Sequence, residues 1–277
     1  MDNSRLLEEI SRVPPNQRFF TGEGPRLLDF YCNNACVFGY GTYENTYPFD
    51  NIPPETKGLY FYYGAGIKDL LQEILNLPII ENLEYLTIGI THSNAKHYAD
   101  YVAISALLSS VHFPNLKFFE YGIDELIVNE GRIYGNLGDI TGVLNNMPHL
   151  EKLYLFGNFE LTKPLILPHL TDLEVLLNDF QLNINGGKIT NATLNNILSS
   201  KFETLRLMAL DLDFNDTEFD YELPDVFLNG ESTPAIKYID LEGKFKTGTR
   251  SKIRNSSFLK RFFLNMKFSN DIKEPLD

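Results

Sequence analysis

The stretch Leu150-Glu-Lys-Leu153-Tyr-Leu155-Phe-Gly-Asn158-Phe-Glu-Leu161 constrains this chain more than any other feature. Leucines stand at its first, fourth, sixth and twelfth places, with Asn at the ninth. The first, fourth and sixth places recur at Leu83, Leu86, Ile88; Leu116, Phe119, Tyr121; Leu170, Leu173, Val175; Phe202, Leu205, Leu207; Ile236, Ile239, Leu241; and Leu259, Phe262, Leu264. A degenerate copy at Leu27, Phe30, Cys32 and a strand-like Leu59-Tyr60-Phe61-Tyr62-Tyr63 extend the array toward the N-terminus. Side chains alternate across a strand, so the fourth and sixth places enter a core while the third, fifth and seventh face the other way. Each copy is therefore one short strand. A chain that leaves each strand and returns in the same sense makes its neighbours parallel, and a parallel return needs a long connection. The first places advance by 33, 34, 20, 32, 34 and 23 residues, which supplies it.

This is the form of a leucine-rich repeat, and repetition at such a period governs the whole fold. The expected class is α/β: a leucine-rich-repeat horseshoe, a solenoid with a parallel β-sheet on its concave side and irregular helices and loops on its convex side. Ile67, Leu70, Leu71, Ile74 and Leu75 fall at helical spacing, as do Val102, Leu107, Leu108 and Val111 after a start near Tyr98. Thr190 or Asn191 can cap a helix carrying Leu194, Ile197 and Leu198, and Asp139 or Thr141 can open one carrying Val143 and Leu144. The 20- and 23-residue steps leave room for a turn or loop only. The expected division is residues 1–26 as an N-terminal cap with a helix near Leu6–Val13, 27–268 as the repeat domain, and 269–277 as a tail.

The first residues lack the basic start, apolar run and small-residue cleavage site of a secretory signal, and no apolar run approaches ~20 residues. A soluble, cytoplasmic protein is expected. Two cysteines, Cys32 and Cys36, supply neither a disulfide framework nor four zinc ligands, and read as reduced thiols. The sequons at Asn191, Asn215 and Asn255 then have no secretory route to serve.

Chemistry leaves few traces. Gly64-Ala-Gly66-Ile-Lys68 lies between a strand and a helix, where glycines and helix N–H groups can hold phosphate, but no complete nucleotide-binding signature follows. His149 and His169 occupy the same Pro-His-Leu place ahead of a repeat, and His92 and His97 have no zinc-helix spacing. The acids between Asp211 and Glu222 lack the spacing of a calcium loop. No catalytic residue, cofactor or metal is expected.

Function is therefore sought on the outward places of the strands. The central place reads Tyr31, Tyr60, Thr87, Glu120, Tyr154, Glu174, Arg206, Asp240 and Phe263. The flanking places add Tyr62, Tyr85, Phe118, Lys152, Phe156, Asp172, Met208, Tyr238 and Arg261. Aromatic residues and Arg dominate interface hot spots, which makes Tyr60, Tyr62, Tyr85, Phe118, Tyr154, Phe156, Glu174, Arg206, Tyr238 and Asp240 the candidate partner-binding residues. Residues 1–236 carry 14 Lys plus Arg against 32 Asp plus Glu, a net of −18, whereas residues 237–267 carry nine against two, a net of +7. An acidic body repels nucleic acid and steers basic proteins toward it. The basic run Lys244, Lys246, Arg250, Lys252 and Arg254 is the place where nucleic acid or phosphate could touch, and it equally suits the polar cap of a last repeat.

Gly138-Asp139-Ile140-Thr141 followed by Leu144, then Pro148-His149-Leu150 and the full repeat, resembles a recurring stretch of small bacterial cytoplasmic leucine-rich-repeat proteins. Residues 60–270 are similar to that family in layout, while the first 50 depart from it. The resemblance implies a cytoplasmic binding scaffold without catalytic residues. The expected function is a non-enzymatic scaffold for a protein partner, with no membrane involved. One version is an immunity-type protein that neutralises a basic toxin, and the rival is a nucleotide-binding protein or enzyme using the Gly64–Lys68 turn.

Overall fold

The computed structural model describes residues 30–32, 35–38, 54–63, 67–90, 98–122, 134–177, 189–212, 221–243, 245–246, 248–259 and 264–268. The expected N-terminal helix, the tail after 268, the Gly64–Gly66 turn, His92 and His97 lie outside these residues.

Ten strands form one open, mostly parallel sheet: β1 (Phe30–Cys32), β2 (Ala35–Phe38), β3 (Gly58–Tyr63), β4 (Tyr85–Ile90), β6 (Phe118–Tyr121), β8 (Lys152–Phe156), β10 (Asp172–Leu176), β11 (Leu207–Asp211), β12 (Tyr238–Gly243) and β13 (Leu264–Phe268). Each lies beside the preceding one in that order, and every pair is parallel except β1 with β2. Three further strands, β5 (Tyr98–Asp100), β7 (Tyr134–Asp139) and β9 (Asn158–Glu160), make a second, smaller parallel sheet.

Register turns the repeated phrase into two apolar rows. Leu59, Leu86, Phe119, Leu153, Leu173, Met208 and Ile239 face one another across successive strands, and so do Phe61, Ile88, Tyr121, Leu155, Val175, Leu210 and Leu241. None of the fourteen is more than 2% exposed. Burying such a side chain stabilises the fold by ~1.5–3 kcal/mol, so the rows are the core that decides which strand face points inward.

A third row belongs to the turns ahead of the strands. Leu83, Leu116, Leu150, Leu170, Leu205 and Ile236 donate their backbone N–H to the carbonyls of Ile80, Phe113, Met147, Leu167, Phe202 and Thr233, three residues earlier, at 3.2–3.5 Å. All twelve side chains are buried. The true unit therefore carries a buried residue three places before the first leucine, which allows two readings of any copy with apolar residues at that spacing.

That ambiguity corrects the β11 register. The expected phrase Phe202, Leu205, Leu207 is displaced by three residues: Leu205, Met208 and Leu210 hold the first, fourth and sixth places. Met208 is fully buried and Leu207 is half-exposed, the reverse of the expectation. At the C-terminal edge Leu264 and Met266 align with Ile239 and Leu241, so that copy begins two residues later than its sequence suggests. At the N-terminal edge β1 is only the antiparallel arm of a hairpin, and β2 is the strand that continues the parallel series through Cys36↔Leu59.

The connections carry helices α1 (Ile67–Ile74), α2 (Val102–Leu108), α3 (Thr141–Asn145), α4 (Asn191–Leu198), α5 (Asp225–Leu228) and α6 (Thr249–Asn255). Thr190 caps α4 through the Thr193 N–H at 3.0 Å, and the Asp139 carboxylate accepts from the Thr141 N–H at 2.8 Å ahead of α3. Two expectations give way here. Tyr98 begins β5 rather than a helix, leaving Val102 43% exposed while Ile104 and Leu108 turn inward. The short step after β12 was expected to hold only a loop but accommodates the seven residues of α6.

Ser105 on α2 ties the two sheets together. Its hydroxyl donates to the Leu137 carbonyl at 2.5 Å and shares a 2.8 Å bond with the Tyr121 hydroxyl. Gly122 closes the adjoining space: its φ is +101°, and a Cβ there would stand 2.0 Å from the Phe156 carbonyl oxygen.

The observed β11 register predicts that Met208→Ala costs ~2–5 kcal/mol, as truncation in a packed core does. The neighbouring Leu207→Ala should cost about 1 kcal/mol or less. Urea denaturation of the two variants checks this, and equal costs, or the larger cost at Leu207, would restore the rejected register.

Candidate functional site

The face of the large sheet turned away from the apolar rows divides into a covered part and an open part. On β4 and β6 it is covered. Thr87 is 1%, Phe118 6% and Glu120 8% exposed, although alternation sends all three outward. The reason is ring size. Phe118 lies between Tyr85, with ring centroids 6.4 Å apart, and Tyr154, with centroids 5.4 Å apart in an edge-to-face arrangement. Large cross-strand rings hide one another's surface. Thr87 donates its hydroxyl to the Glu120 carboxylate at 3.2 Å, which satisfies part of what that buried acid needs. Phe118 is thus a structural ring rather than an accessible contact. Tyr85 is half-buried, and burial, with Glu84 beside it, raises its phenol above the ordinary value.

From β8 to β12 the same face is open and the burial alternates cleanly. Tyr154, Glu174, Ala209 and Asp240 form its middle row by direct register. One row runs Lys152, Asp172, Leu207, Tyr238, and the other contains Phe156, Leu176 and Asp211. All eleven are half-exposed or exposed, with Tyr238 at 44%. The face therefore presents four carboxylates and one ammonium among three aromatic rings. The Asp240 Oδ2 accepts from the Tyr238 hydroxyl at 3.4 Å, and its Oδ1 is a buried atom without a hydrogen-bond partner among the described residues.

Tyr154, Phe156, Glu174, Tyr238 and Asp240 are accordingly brought together on one surface. Arg206 is not on it. The register shift places this exposed residue before β11, where its backbone N–H donates to the Thr171 carbonyl. Sequence reasoning missed Ala209, Leu207 and Asp211 for the same reason. Tyr60 and Tyr62 lie on β3, which continues the sheet, and their side chains lie outside the described residues, as does Phe263.

Arg206 belongs instead to a column along the strand entries. The backbone N–H groups of Glu84, Lys117, Glu151, Thr171, Arg206 and Lys237 donate to the carbonyls of Lys57, Glu84, Lys117, Glu151, Thr171 and Arg206. The first four members alternate in charge. Glu84 binds Lys57 at 2.5 Å and Lys117 at 2.9 Å, and these two lysines, Lys57 the more, hold its carboxyl below the ordinary carboxylate value. Glu84 in turn raises Lys117.

In the basic run, Lys246 pairs with Glu222, which lowers the Glu222 pKa, and Lys252 and Arg254 are exposed on α6. Lys244 and the Arg250 side chain lie outside the described residues. His149 and His169 sit exposed on consecutive turns with ring centroids 5.1 Å apart. Among the described residues, no group of three or more His, Cys, Asp or Glu could hold a metal ion, and no helix is long and apolar enough to cross a membrane. Lys68 is exposed on α1.

No family model matches this chain, and no curated protein matches it in sequence. Its fold is similar to a crystal structure of a Bacteroides fragilis protein determined as a structural-genomics target. The two share 20% identity at a TM-score of 0.50 over 70% of this chain. This chain spans about half of that one, 53% of its length, so the likeness concerns the fold alone.

The charge column yields a pH test. A carboxyl whose pKa falls on folding contributes stability that is present above its unfolded value of ~4.3 and lost as pH falls through the lower folded value. Glu84→Gln should lower stability at pH 7 by about 0.5–1 kcal/mol, the scale of a well-formed surface pair. The gap from the parent should close as pH falls below ~4.3. A gap that persists at pH 2 in thermal melts would assign the effect to packing.

Proposed function

We propose that this chain is a leucine-rich-repeat horseshoe that binds a protein partner through the outward face of its parallel sheet and performs no chemistry there. The supporting observation is the open β8–β12 patch, where Tyr154, Phe156 and Tyr238 share accessible surface with Asp172, Glu174, Asp211 and Asp240. Exposed rings bury much area at low rotamer cost, and carboxylates set among them select for charge. The rival reading, a nucleotide-binding protein or enzyme using the Gly64–Lys68 turn, falls on a turn whose residues 64–66 lie outside the described residues. Because the acids outnumber Lys152 on this face and the body of the chain is acidic, the partner is basic, which keeps the toxin-neutralising version in view. The sequence resemblance to bacterial scaffolds supports a cytoplasmic setting.

Parent and Tyr154→Ala proteins, each immobilised and exposed to lysate of the native cell, provide the test. Tyr154→Ala should melt within a few degrees of the parent and bind the captured partner at least about 2 kcal/mol more weakly, roughly thirty-fold. The association rate should fall as salt rises, because screening shortens the reach of the acidic field to ~8 Å at physiological ionic strength. A partner held equally by both proteins, or a Tyr154→Ala chain that unfolds, would remove this face from consideration.

A further inference from the structure

The turns that lead into β8 and β10 are built alike and bring two imidazoles side by side. His149 and His169 each follow a proline and precede the first leucine of a repeat. Leu150 and Leu170 close these turns on the Met147 and Leu167 carbonyls at 3.2 Å, and the Thr171 N–H donates to the Glu151 carbonyl at 2.7 Å. These bonds hold the two turns in register, which sets equivalent side chains one strand spacing apart, ~4.8 Å. The rings accordingly stand with centroids 5.1 Å apart and planes inclined by 33°, both exposed. At the same place in the flanking turns the polar side chains are engaged with backbone. Asn115 donates to the Glu81 carbonyl at 2.7 Å, and Thr204 donates to the Pro168 and Leu170 carbonyls at 2.8 and 2.9 Å, gripping the chain on either side of His169. The two histidines meet each other instead.

We propose that His149 and His169 together bind a divalent transition-metal ion of the zinc class, each through one ring nitrogen. An imidazole nitrogen binds zinc at ~2.0–2.1 Å and its ring centre lies about 1.1 Å behind it, so each centroid stands ~3.2 Å from the ion. A tetrahedral angle then separates two centroids by ~5.2 Å, against ~4.5 Å for a right angle and ~6.4 Å for a linear pair. The observed 5.1 Å matches the tetrahedral spacing. Rotation about the last side-chain bond of histidine is soft, so a modest turn of each ring aims a nitrogen at the shared point without moving the backbone. Among the described residues no third His, Cys, Asp or Glu completes the set. With two ligands from these turns, the other positions are open to water or to a donor on another molecule. Imidazole suits zinc, copper and nickel, whereas magnesium and calcium require oxygen ligands. The pair lies at the strand entries and shares no residue with the open face, so it stands whether or not that face holds a protein.

The test titrates the full chain with zinc chloride and follows the histidine ring resonances by NMR. A background of millimolar magnesium occupies carboxylates without competing for imidazole. Zinc should move the rings of His149 and His169 together, along one saturable curve, and leave the exposed His112 in place. In His149→Gln the affinity read at His169 should fall about tenfold or more, and in His169→Gln the affinity read at His149 should fall equally, because a single imidazole no longer chelates. His112→Gln should change neither ring's affinity by more than about twofold. Both turn positions are exposed, so the single variants should melt within a few degrees of the parent, which separates loss of zinc from loss of fold. Zinc that moves one ring alone, or neither, would leave a stacked pair without a metal, as would an affinity at either ring that survives removal of the other.

Discussion

The backbone bonds at the strand entries are the constraint on which the rest of this structure depends. From Glu84 to Lys237, each entry residue donates its N–H to the entry carbonyl of the strand before it. A strand that begins this way cannot slide by one residue without exchanging its inward and outward side chains. The apolar rows reinforce the same register, because a slip would place leucines in water. Hydrogen bonding and burial thus specify one alignment together, and the outward residues receive their positions from it.

That freedom is used unevenly. On β4 and β6 the outward places are filled by Phe118, Thr87 and Glu120, which are buried and consolidate the sheet. On β8 to β12 they are left more accessible, so side chains such as Lys152 and Tyr238 are less enclosed by their neighbours. Such residues can change with little loss of stability, which is the condition under which a surface becomes specialised for a partner.

The repeated phrase made most of the sheet legible, because Leu150 to Leu161 allows one reading and its neighbours follow from it. Thr190 and Asp139 announced their helices through capping chemistry that acts locally. Two kinds of information were not local. The β11 register failed because Phe202, Leu205 and Met208 are spaced by three, so apolar character alone permitted either alignment; only pairing with β10 and β12 decides it. The covering of Phe118 depends on rings two strands apart, Tyr85 and Tyr154, which alternation within one strand does not reveal.

The entry column also separates position on the sheet from length between strands. Thr171 follows Glu151 along the column after 20 residues of chain, and Lys117 follows Glu84 after 33, yet each makes the same backbone bond to its predecessor. Closing a longer connection costs only ~0.6 kcal/mol for each doubling of its length. Segments between strands can therefore be lengthened, trimmed or exchanged while every outward residue keeps its coordinates. A chain built this way can accumulate insertions at the back without altering what it presents at the front.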